Sequence, residues 1–263
     1  MPENVESLPS LVPDAARPGE PPVGAADQPA FRTTPVSFVR RSGRMNVRQQ
    51  EAWDTRRDEF VVEVPRLAAR TSVDPRWSFD PEASFGRRAP LVVEVGSGQG
   101  EAVVAAAAAT PERDFLALEV YTPGLGQTVY RSIRAGLTNV RLMQANAPEV
   151  LEHALAPGSV DELWVFFPDP WHKARHTKRR LVAPPFVELA ARALRPGGTW
   201  RLATDWAEYA EQMIEVVEAS SAFTNAHGPG AHAPRFEGRV LTGFENKAAK
   251  AGRDVVDLTY VRS

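Results

Sequence analysis

The sequence predicts an α/β protein with a mostly parallel β-sheet and helices on both faces. From residue 91 onward, short apolar and β-branched runs alternate with helical stretches, and this order is typical of a parallel sheet. A glycine-rich turn joins the first run to the first helix, and the last segment alternates like a final strand. Because ligands of such sheets bind at the carboxyl ends of the strands, we expect a site there.

The predicted strands share apolar residues bounded by turn-forming residues. They cover residues 91–95, 115–120, 140–144, 160–167, 199–203 and 255–261. The predicted helices have apolar residues at helical spacing. They run from the glycine turn to about residue 109, and over residues 122–135, 148–155, 185–194 and 206–219. Residues 195–198, Arg-Pro-Gly-Gly, predict a turn that ends a helix and starts a strand.

Composition divides the chain into three regions. Residues 1–36 are proline-rich and aperiodic, which predicts a disordered tail. Residues 37–89 begin with a basic stretch and are predicted to form an N-terminal extension that packs on the core. The basic residues could equally be a solvated helical face. Residues 90–263 are predicted to form the main domain.

The composition also excludes several kinds of function. The absence of cysteine excludes disulfides, thiolate metal sites and a cysteine nucleophile. The five histidines lack ligand spacing, so we expect no metal. No apolar run approaches the roughly 20 residues of a membrane span and no signal-like start is visible, so we expect a cytoplasmic chain without membrane contact. With a net charge of −2, a nucleic-acid partner would have to meet a local basic patch.

The turn over residues 96–100, Gly-Ser-Gly-Gln-Gly, follows a predicted strand and opens a predicted helix. Glycines there let the main chain bend sharply and approach a ligand, although a structural turn or a dinucleotide site would also contain them. Two features favour S-adenosylmethionine. The spacing is not the Gly-x-Gly-x-x-Gly of dinucleotide sites. In addition, Glu94 would repel a pyrophosphate but attract the amino-acid end and sulfonium of this cofactor.

Polar residues follow the next two predicted strands. Glu119 ends the second strand, where an acidic residue accepts hydrogen bonds from ribose hydroxyls; the alternative is an ordinary strand-end charge. Asn146 lies just past the third strand, where its amide can bond the adenine edge. The predicted cofactor-binding residues are thus Glu94, Gly96, Gly98, Gly100, Glu119 and Asn146.

The stretch over residues 166–180 leaves the carboxyl end of the fourth predicted strand. Prolines on both sides restrict Asp169, so its carboxylate is a preorganised partner for a developing positive charge or a base edge. Trp171 could stack on an extruded base or pack under the loop. The cations that follow suit a phosphate backbone, the alternative being a solvated loop. They are Lys173, Arg175, Lys178, Arg179 and Arg180.

At these residues the sequence resembles the bacterial tRNA (guanine-N7)-methyltransferase family. The matching pieces are residues 37–44, 94–100, 118–120, 166–180, 203–206, 209–210 and 242–245. The Pro-Asp-Pro-Trp stretch with its basic run is the specific part. The resemblance implies a Rossmann-like class I S-adenosylmethionine-dependent methyltransferase with a seven-stranded sheet. It also implies methylation of N7 of a guanine in the variable loop of tRNA. The chain could be a monomer or a homodimer.

The resemblance further implies roles for individual residues. Asp169 would be the catalytic residue and, with Glu94, Glu119 and Asn146, a cofactor contact. The implied substrate contacts are Lys173, Asp205, Thr242, Gly243, Phe244 and Glu245. The implied RNA-interacting loop is Arg175, His176, Thr177, Lys178, Arg179 and Arg180. The family pattern has aspartate at position 146 and lysine at position 243. An asparagine oxygen still accepts from the adenine amino group, whereas a glycine cannot replace a lysine's charge.

Two other functions are compatible with these residues. A methyltransferase acting on an exocyclic amine of a nucleic acid or protein could also have an aspartate-proline-aromatic sequence. A noncatalytic RNA-binding protein could retain the fold without using the cofactor. Analysis of the methylated nucleoside distinguishes the first alternative from N7 methylation, and calorimetry with S-adenosylmethionine tests the second.

Overall fold

The computed structural model describes residues 43–67 and 69–263. The predicted tail over residues 1–36, and residues 37–42 of the basic stretch, lie outside the described residues. The helices are α1 (Val47–Phe60), α2 (Pro81–Phe85), α3 (Glu101–Ala109), α4 (Thr122–Arg134), α5 (Ala147–Glu149), α6 (Pro184–Ala193), α7 (Ala207–Glu218) and α8 (Gly243–Lys250). The strands are β1 (Leu91–Val95), β2 (Asp114–Leu118), β3 (Val140–Met143), β4 (Val160–Phe166), β5 (Leu194–Thr204), β6 (Phe223–Asn225) and β7 (Val256–Arg262).

The seven strands form one sheet in the order β3-β2-β1-β4-β5-β7-β6. Strands β1 to β5 are parallel to one another, and β7 runs antiparallel between β5 and β6. The predicted mostly parallel, seven-stranded sheet is therefore confirmed. The strand order changes direction between β1 and β4, and a crevice for ligands forms at the carboxyl ends of strands at such a point.

Alternating residues of the strands are buried in two apolar layers, one on each face of the sheet. Val92 is buried with Val103 of α3 and Leu125 of α4, whereas its neighbour Val93 is buried on the opposite face with Trp200 of β5 and Met213 of α7. Successive side chains of a strand point to opposite faces, so one apolar run supplies both layers. The predicted helices on both faces are confirmed.

The described part of the N-terminal extension contacts the α4 side of the sheet. Asn46 and Gln49 form a reciprocal capping box that starts α1. The Gln49 side chain also donates to Gln127 of α4 at 2.7 Å, and Phe60 at the end of the helix is buried in the same apolar layer. Beyond α1, the backbone N–H of Val62 donates to the carbonyl oxygen of Leu142 in β3 at 2.9 Å.

Some elements differ from the prediction. Residues 195–198 were predicted to be a turn, but they belong to β5, which pairs with β4 from Leu194 and shifts register between Val160 and Glu162. The Pro-Gly-Gly stretch therefore bulges within the strand. The predicted helix over residues 148–155 consists of α5 and a π-helical turn, Val150–Ala154. None of the described helices is long and apolar enough to cross a membrane.

Candidate active site

The glycine turn lies between β1 and α3, in backbone contact with the start of α4. Gly96, Gly98 and Gly100 all have left-handed φ angles, of 74°, 57° and 71°. A Cβ atom on Gly124 in α4 would lie 2.2 Å from the carbonyl oxygen of Gly98. Two backbones can meet this closely only because position 124 has no side chain. The conformation of the turn therefore depends both on its own glycines and on Gly124 in α4.

Glu94 lies in β1, directly before the turn, and is buried. Its Oε2 atom has no hydrogen-bond partner among the described residues. Burial raises the pKa of Glu94 to about 8, an effect opposed by the Val103 backbone N–H and reinforced by the charges of Glu119 and Glu101. A buried carboxyl oxygen without a partner is costly, and a cationic ligand beside the turn would satisfy it. This fits the ammonium and sulfonium groups of S-adenosylmethionine.

Glu119, immediately after β2, is bound to the turn itself. Its Oε2 accepts the Gly98 N–H at 2.7 Å, and its Oε1 accepts the N–H groups of Val120 and Tyr121 at 2.7 and 2.9 Å. Burial raises its pKa against the effect of these donors, and the nearby charge of Asp169 raises it further. The carboxylate therefore fixes the turn, a function that the sequence analysis missed. Its contact with a ribose stays a prediction.

Asn146, after β3, is fully buried, and the N-terminal extension helps to hold it. Its backbone N–H donates to the carbonyl oxygen of Thr71 at 2.7 Å, and its Nδ2 donates to Oε1 of Glu149 at 3.1 Å. The other oxygen of Glu149 accepts the N–H of Val73 at 2.9 Å. The sequence analysis identified neither Thr71 nor Glu149, since nothing in the local pattern connects them with Asn146.

The loop after β4 has an unusual backbone. Phe167 and Trp171 have φ angles of 52° and 45°, and no other non-glycine residue in the described chain has a positive φ. They flank Pro168, Asp169 and Pro170. Such a conformation costs free energy in a residue with a side chain and persists where the surrounding contacts enforce it. Asp169 is exposed. Burial raises the pKa of both Glu119 and Tyr209, and the charge of Asp169 adds a smaller effect in the same direction. The loop thus brings the Asp169 carboxylate near Glu119 and the cofactor turn.

Aromatic rings and cations follow Asp169. The His172 ring stacks on Trp206 at a centroid distance of 5.5 Å, and the guanidinium of Arg253 lies 5.3 Å from that indole. Arg253 also forms an ion pair with Asp205, so this predicted substrate residue already has a cationic partner. Trp171 meets the His176 ring edge-on at 5.7 Å. Its contact with a base was left open by the sequence and stays a prediction.

One predicted RNA contact is wrong. Arg180 has only 4% of its surface exposed. Its Nε donates to the carbonyl oxygen of Pro170 at 2.8 Å, its Nη1 donates to Oε1 of Gln212 at 2.7 Å, and its guanidinium lies over Tyr209. Because these contacts occupy a buried side chain, Arg180 holds the loop and cannot reach a phosphate. The four other cations of the basic loop are exposed. They are Lys173, Arg175, Lys178 and Arg179.

The basic loop contains a short 3₁₀ helix, Ala174–Arg179. The Thr177 hydroxyl donates to the Ala174 carbonyl oxygen at 3.0 Å, and Arg179 lies over the Trp171 ring at 5.1 Å. Thr177, predicted to contact RNA, therefore makes a local bond that closes the helix. The exposed cations are carried on an ordered element.

The segment over residues 242–245 is anchored at both ends. Thr242 caps α8 by accepting the Glu245 N–H, and the N–H of Gly243 donates to Oε2 of Glu101 at 2.8 Å. Glu245 is buried and forms ion pairs with Arg235 and Arg239. The carboxylate predicted to contact substrate thus holds α8 against the sheet. Phe244 lies in the first turn of that helix.

Arg239 is the centre of this anchor, and the sequence analysis did not identify it. The residue is completely buried and donates to Glu245 and to Asp257 of β7, at 2.8 and 2.7 Å. Its guanidinium lies 5.4 Å from the Phe167 ring. One buried cation therefore joins α8, β7 and the loop of Asp169.

The predicted residues thus meet at one edge of the sheet. Glu94 lies in the last residues of β1, and the turn, Glu119, Asn146 and Asp169 follow the carboxyl ends of β1 to β4. Glu101 links this edge to Gly243. Among the residues that the structure describes, no group of three histidine, aspartate or glutamate side chains could hold a metal ion.

Comparisons with known proteins agree with this arrangement. The family described as "putative methyltransferase" matches residues 88–258. A tRNA (guanine-N(7)-)-methyltransferase of Paenarthrobacter aurescens is 48% identical, with 95% of this chain and 99% of that protein covered. The protein of that name from Paracidovorax citrulli is 42% identical over 100% of this chain and 98% of its own length. The chain belongs to the tRNA (guanine-N(7)-)-methyltransferase family. The predicted resemblance is confirmed.

A solved structure shares the fold of this tRNA (guanine-N(7)-)-methyltransferase family member. The 16S rRNA methyltransferase KamB superposes with a TM-score of 0.53 at 19% identity, covering 76% of this chain and 98% of KamB. At this identity the likeness shows the fold alone. The Rossmann-like class I methyltransferase fold expected from the sequence is confirmed.

The resemblance to the family implies a lysine at the position of Gly243, and the surroundings of Gly243 bear on this difference. A Cβ atom there would meet only Oε2 of Glu101, at 3.8 Å, so the backbone has room for a side chain. The side chain of a lysine at this position would leave the backbone next to the Glu101 carboxylate. In this chain, the Gly243 N–H donates to Oε2 of that carboxylate, and Arg131 of α4 pairs with its Oε1 at 3.3 Å.

Proposed function

We propose that this chain transfers a methyl group from S-adenosylmethionine to N7 of a guanine in the variable loop of tRNA, forming 7-methylguanosine. The observation that carries the proposal is the position of Asp169, which follows β4 in a strained, proline-flanked loop at the sheet edge that also holds the glycine turn and Glu119. The names of the relatives, at 42 to 48% identity over nearly the whole chain, support the same substrate. The enzyme would act in the cytoplasm, as a monomer or a homodimer.

The chain's own residues would hold the cofactor at the carboxyl edge of the sheet. Glu94 attracts the cationic amino-acid end, Glu119 accepts from the ribose while fixing the turn, and Asn146 bonds the adenine edge. When bound, S-adenosylmethionine supplies a methyl group on a positively charged sulfur. Each carboxylate oxygen has more than one acceptor site, so Glu119 can keep its backbone N–H bonds and accept a hydroxyl.

The chemistry requires positioning rather than proton transfer. Guanine N7 carries a lone pair and no proton, so it would accept the methyl group directly, and the electron pair of the methyl–sulfur bond would remain on sulfur. No general base is required. Positive charge appears on the purine, and the fixed carboxylate of Asp169 stabilises it or orients the base by accepting from its Watson–Crick edge.

The exposed cations would bind the tRNA backbone. Arg175, Lys178 and Arg179 lie in the short 3₁₀ helix after Asp169, and Lys173 directly precedes it. Phosphate contacts there would bring the guanine to the cofactor. Asp205 and the segment over residues 242–245 would border the base. The ion pairs of Asp205 and Glu245 limit these two residues to shaping that border.

Nucleoside mass spectrometry tests the proposal. The pure protein is incubated with S-adenosylmethionine and bulk tRNA, and 7-methylguanosine is the expected product. A methylated exocyclic amine would overturn N7 as the target, and calorimetry without cofactor binding would favour a noncatalytic RNA-binding protein. Asp169→Ala should reduce turnover by about tenfold or more while tRNA affinity stays near that of the wild type.

A further inference from the structure

Two consecutive large apolar residues are exposed beside the candidate active site. The exposed large hydrophobic residues in the described part of the chain are Val47, Leu67, Val240 and Leu241. Leu241 has 68% of its surface exposed, and it directly precedes Thr242, which caps α8. Single exposed apolar residues need no explanation, whereas the position of this apolar pair at the border of the candidate site gives it a possible contact.

The exposure of Leu241 is not a consequence of a loose segment. Arg239, two residues earlier, is completely buried between Glu245 and Asp257 and lies against the Phe167 ring. Gly243, two residues later, is bound to Glu101 next to the glycine turn. The chain over residues 239–243 therefore runs from the loop of Asp169 to the cofactor turn, with Leu241 at its midpoint.

The proposed reaction gives an exposed apolar group at this place a use. The proposed target guanine lies in a loop, where a base can be splayed out of its stack, and enzymes that act on a base extrude it into their active site. Unstacking exposes the faces of the neighbouring bases. Proteins that separate bases often insert a leucine, isoleucine, methionine or phenylalanine, which replaces part of the lost stacking.

We propose that Leu241, supported by Val240, is a wedge that packs against the tRNA base next to the target guanine and occupies the space that this guanine leaves. The inference rests on the proposed function, because it assumes a tRNA base as the occupant. The buried Arg239 on one side and the Gly243–Glu101 hydrogen bond on the other hold the wedge in place, so that tRNA rather than the protein has to adapt.

The test compares variants at position 241 with a matched control. Leu241→Ala and Leu241→Ser should lower kcat/KM on folded tRNA by about tenfold, the scale of one lost stacking contact. Leu241→Met keeps an apolar side chain of similar size and should stay within about twofold of the wild type. Leu67→Ala removes a leucine of similar exposure, 61%, outside the segment, and should have no effect. Unchanged thermal unfolding would show that every variant is folded.

A second measurement reports the unstacking itself. With 2-aminopurine next to the target guanine, binding of the wild-type protein should raise the fluorescence, and Leu241→Ala should abolish the rise. Wild-type activity of Leu241→Ala, or an undiminished fluorescence rise, would overturn the wedge. A wild-type protein that forms no 7-methylguanosine would instead refute the proposed function, and the fluorescence comparison would still test the wedge on tRNA.

Discussion

The backbone N–H of Gly243 donates to the carboxylate of Glu101 at 2.8 Å, although 142 positions separate the two residues. Glu101 is the first residue of α3, directly after the glycine turn, and Gly243 is the first residue of α8. This bond connects the element that would hold the cofactor with the segment that would border the base.

We expect Glu101→Ala to loosen the start of α8. Losing this acceptor removes about 1 kcal/mol of local stabilisation, so the Gly243 amide should exchange its hydrogen several-fold faster. Hydrogen exchange followed by mass spectrometry measures this in peptides that cover α8. Glu112→Ala, at an exposed position before β2, is the control and should leave these peptides unchanged. Equal exchange in both variants would show that the bond does not hold the segment.

Gly124→Ala should impair cofactor binding. Its Cβ would lie 2.2 Å from the Gly98 carbonyl oxygen, so the turn or α4 has to move. We expect affinity for S-adenosylmethionine, measured by calorimetry, to fall by about tenfold or more, as a shift in a preorganised site implies. Gly126→Ala in the same helix is the matched control, because its Cβ would meet only the flexible Met45 side chain. If both variants bind equally well, the contact with Gly98 does not shape the site.

The raised pKa of Glu94 predicts that the stability of the protein depends on pH. Its pKa is about 8 in the folded protein, against 4.5 for the free side chain, so the native state holds a proton that the unfolded state has lost between these values. Stability therefore declines as pH rises from about 4.5 to 8 and then levels off. Glu94→Gln should lack this decline. Urea unfolding at pH 5, 7 and 8.5 measures the difference between the two proteins, and parallel curves would contradict the assignment.

Substituting Arg180 should reduce the stability of the protein, whereas substituting its neighbours Lys178 and Arg179 should reduce RNA binding. Arg180→Ala leaves the Pro170 carbonyl and Gln212 without their donor, so it should destabilise the protein by about 1 to 3 kcal/mol. Lys178→Ala with Arg179→Ala should leave thermal stability near that of the wild type. It should reduce the slope of log affinity for tRNA against log salt by roughly 0.7 to 0.9 per lost phosphate contact. If Arg180→Ala instead reduced the salt dependence and left stability unchanged, Arg180 would be an RNA contact and not a support of the loop.

The sequence predicted best what depends on neighbouring residues. The predicted bounds of β1 are those observed, and the helix after the turn ends at Ala109 as expected, since an apolar run, glycines and alanines are local signals. Strand β6 has three residues and pairs only with β7, where Phe223 faces Arg262. A strand that short leaves no readable alternation, so its existence depends on a distant partner.

In the candidate site, too, the sequence predicted what depends on neighbouring residues and missed what depends on tertiary contacts. The order of strands and turns placed Glu94, Glu119 and Asn146 at one edge because parallel strands end there. Arg179 and Arg180 are neighbours with identical side chains, yet one is exposed and the other is buried against Gln212. Burial of this kind is decided by tertiary packing, so composition could not distinguish the two. The anchoring role of Arg239 depends on its contact with Asp257, 18 positions away.

The left-handed backbone at Phe167 and Trp171 restricts how this enzyme can evolve. Glycine would adopt these angles without strain, but it would remove the rings that contact Arg239 and Arg179. Substitutions that relax the loop would therefore dismantle the support of Asp169. Substitutions that raise the thermal stability of the protein are therefore expected elsewhere in the chain, because at these two positions a gain in stability would cost activity.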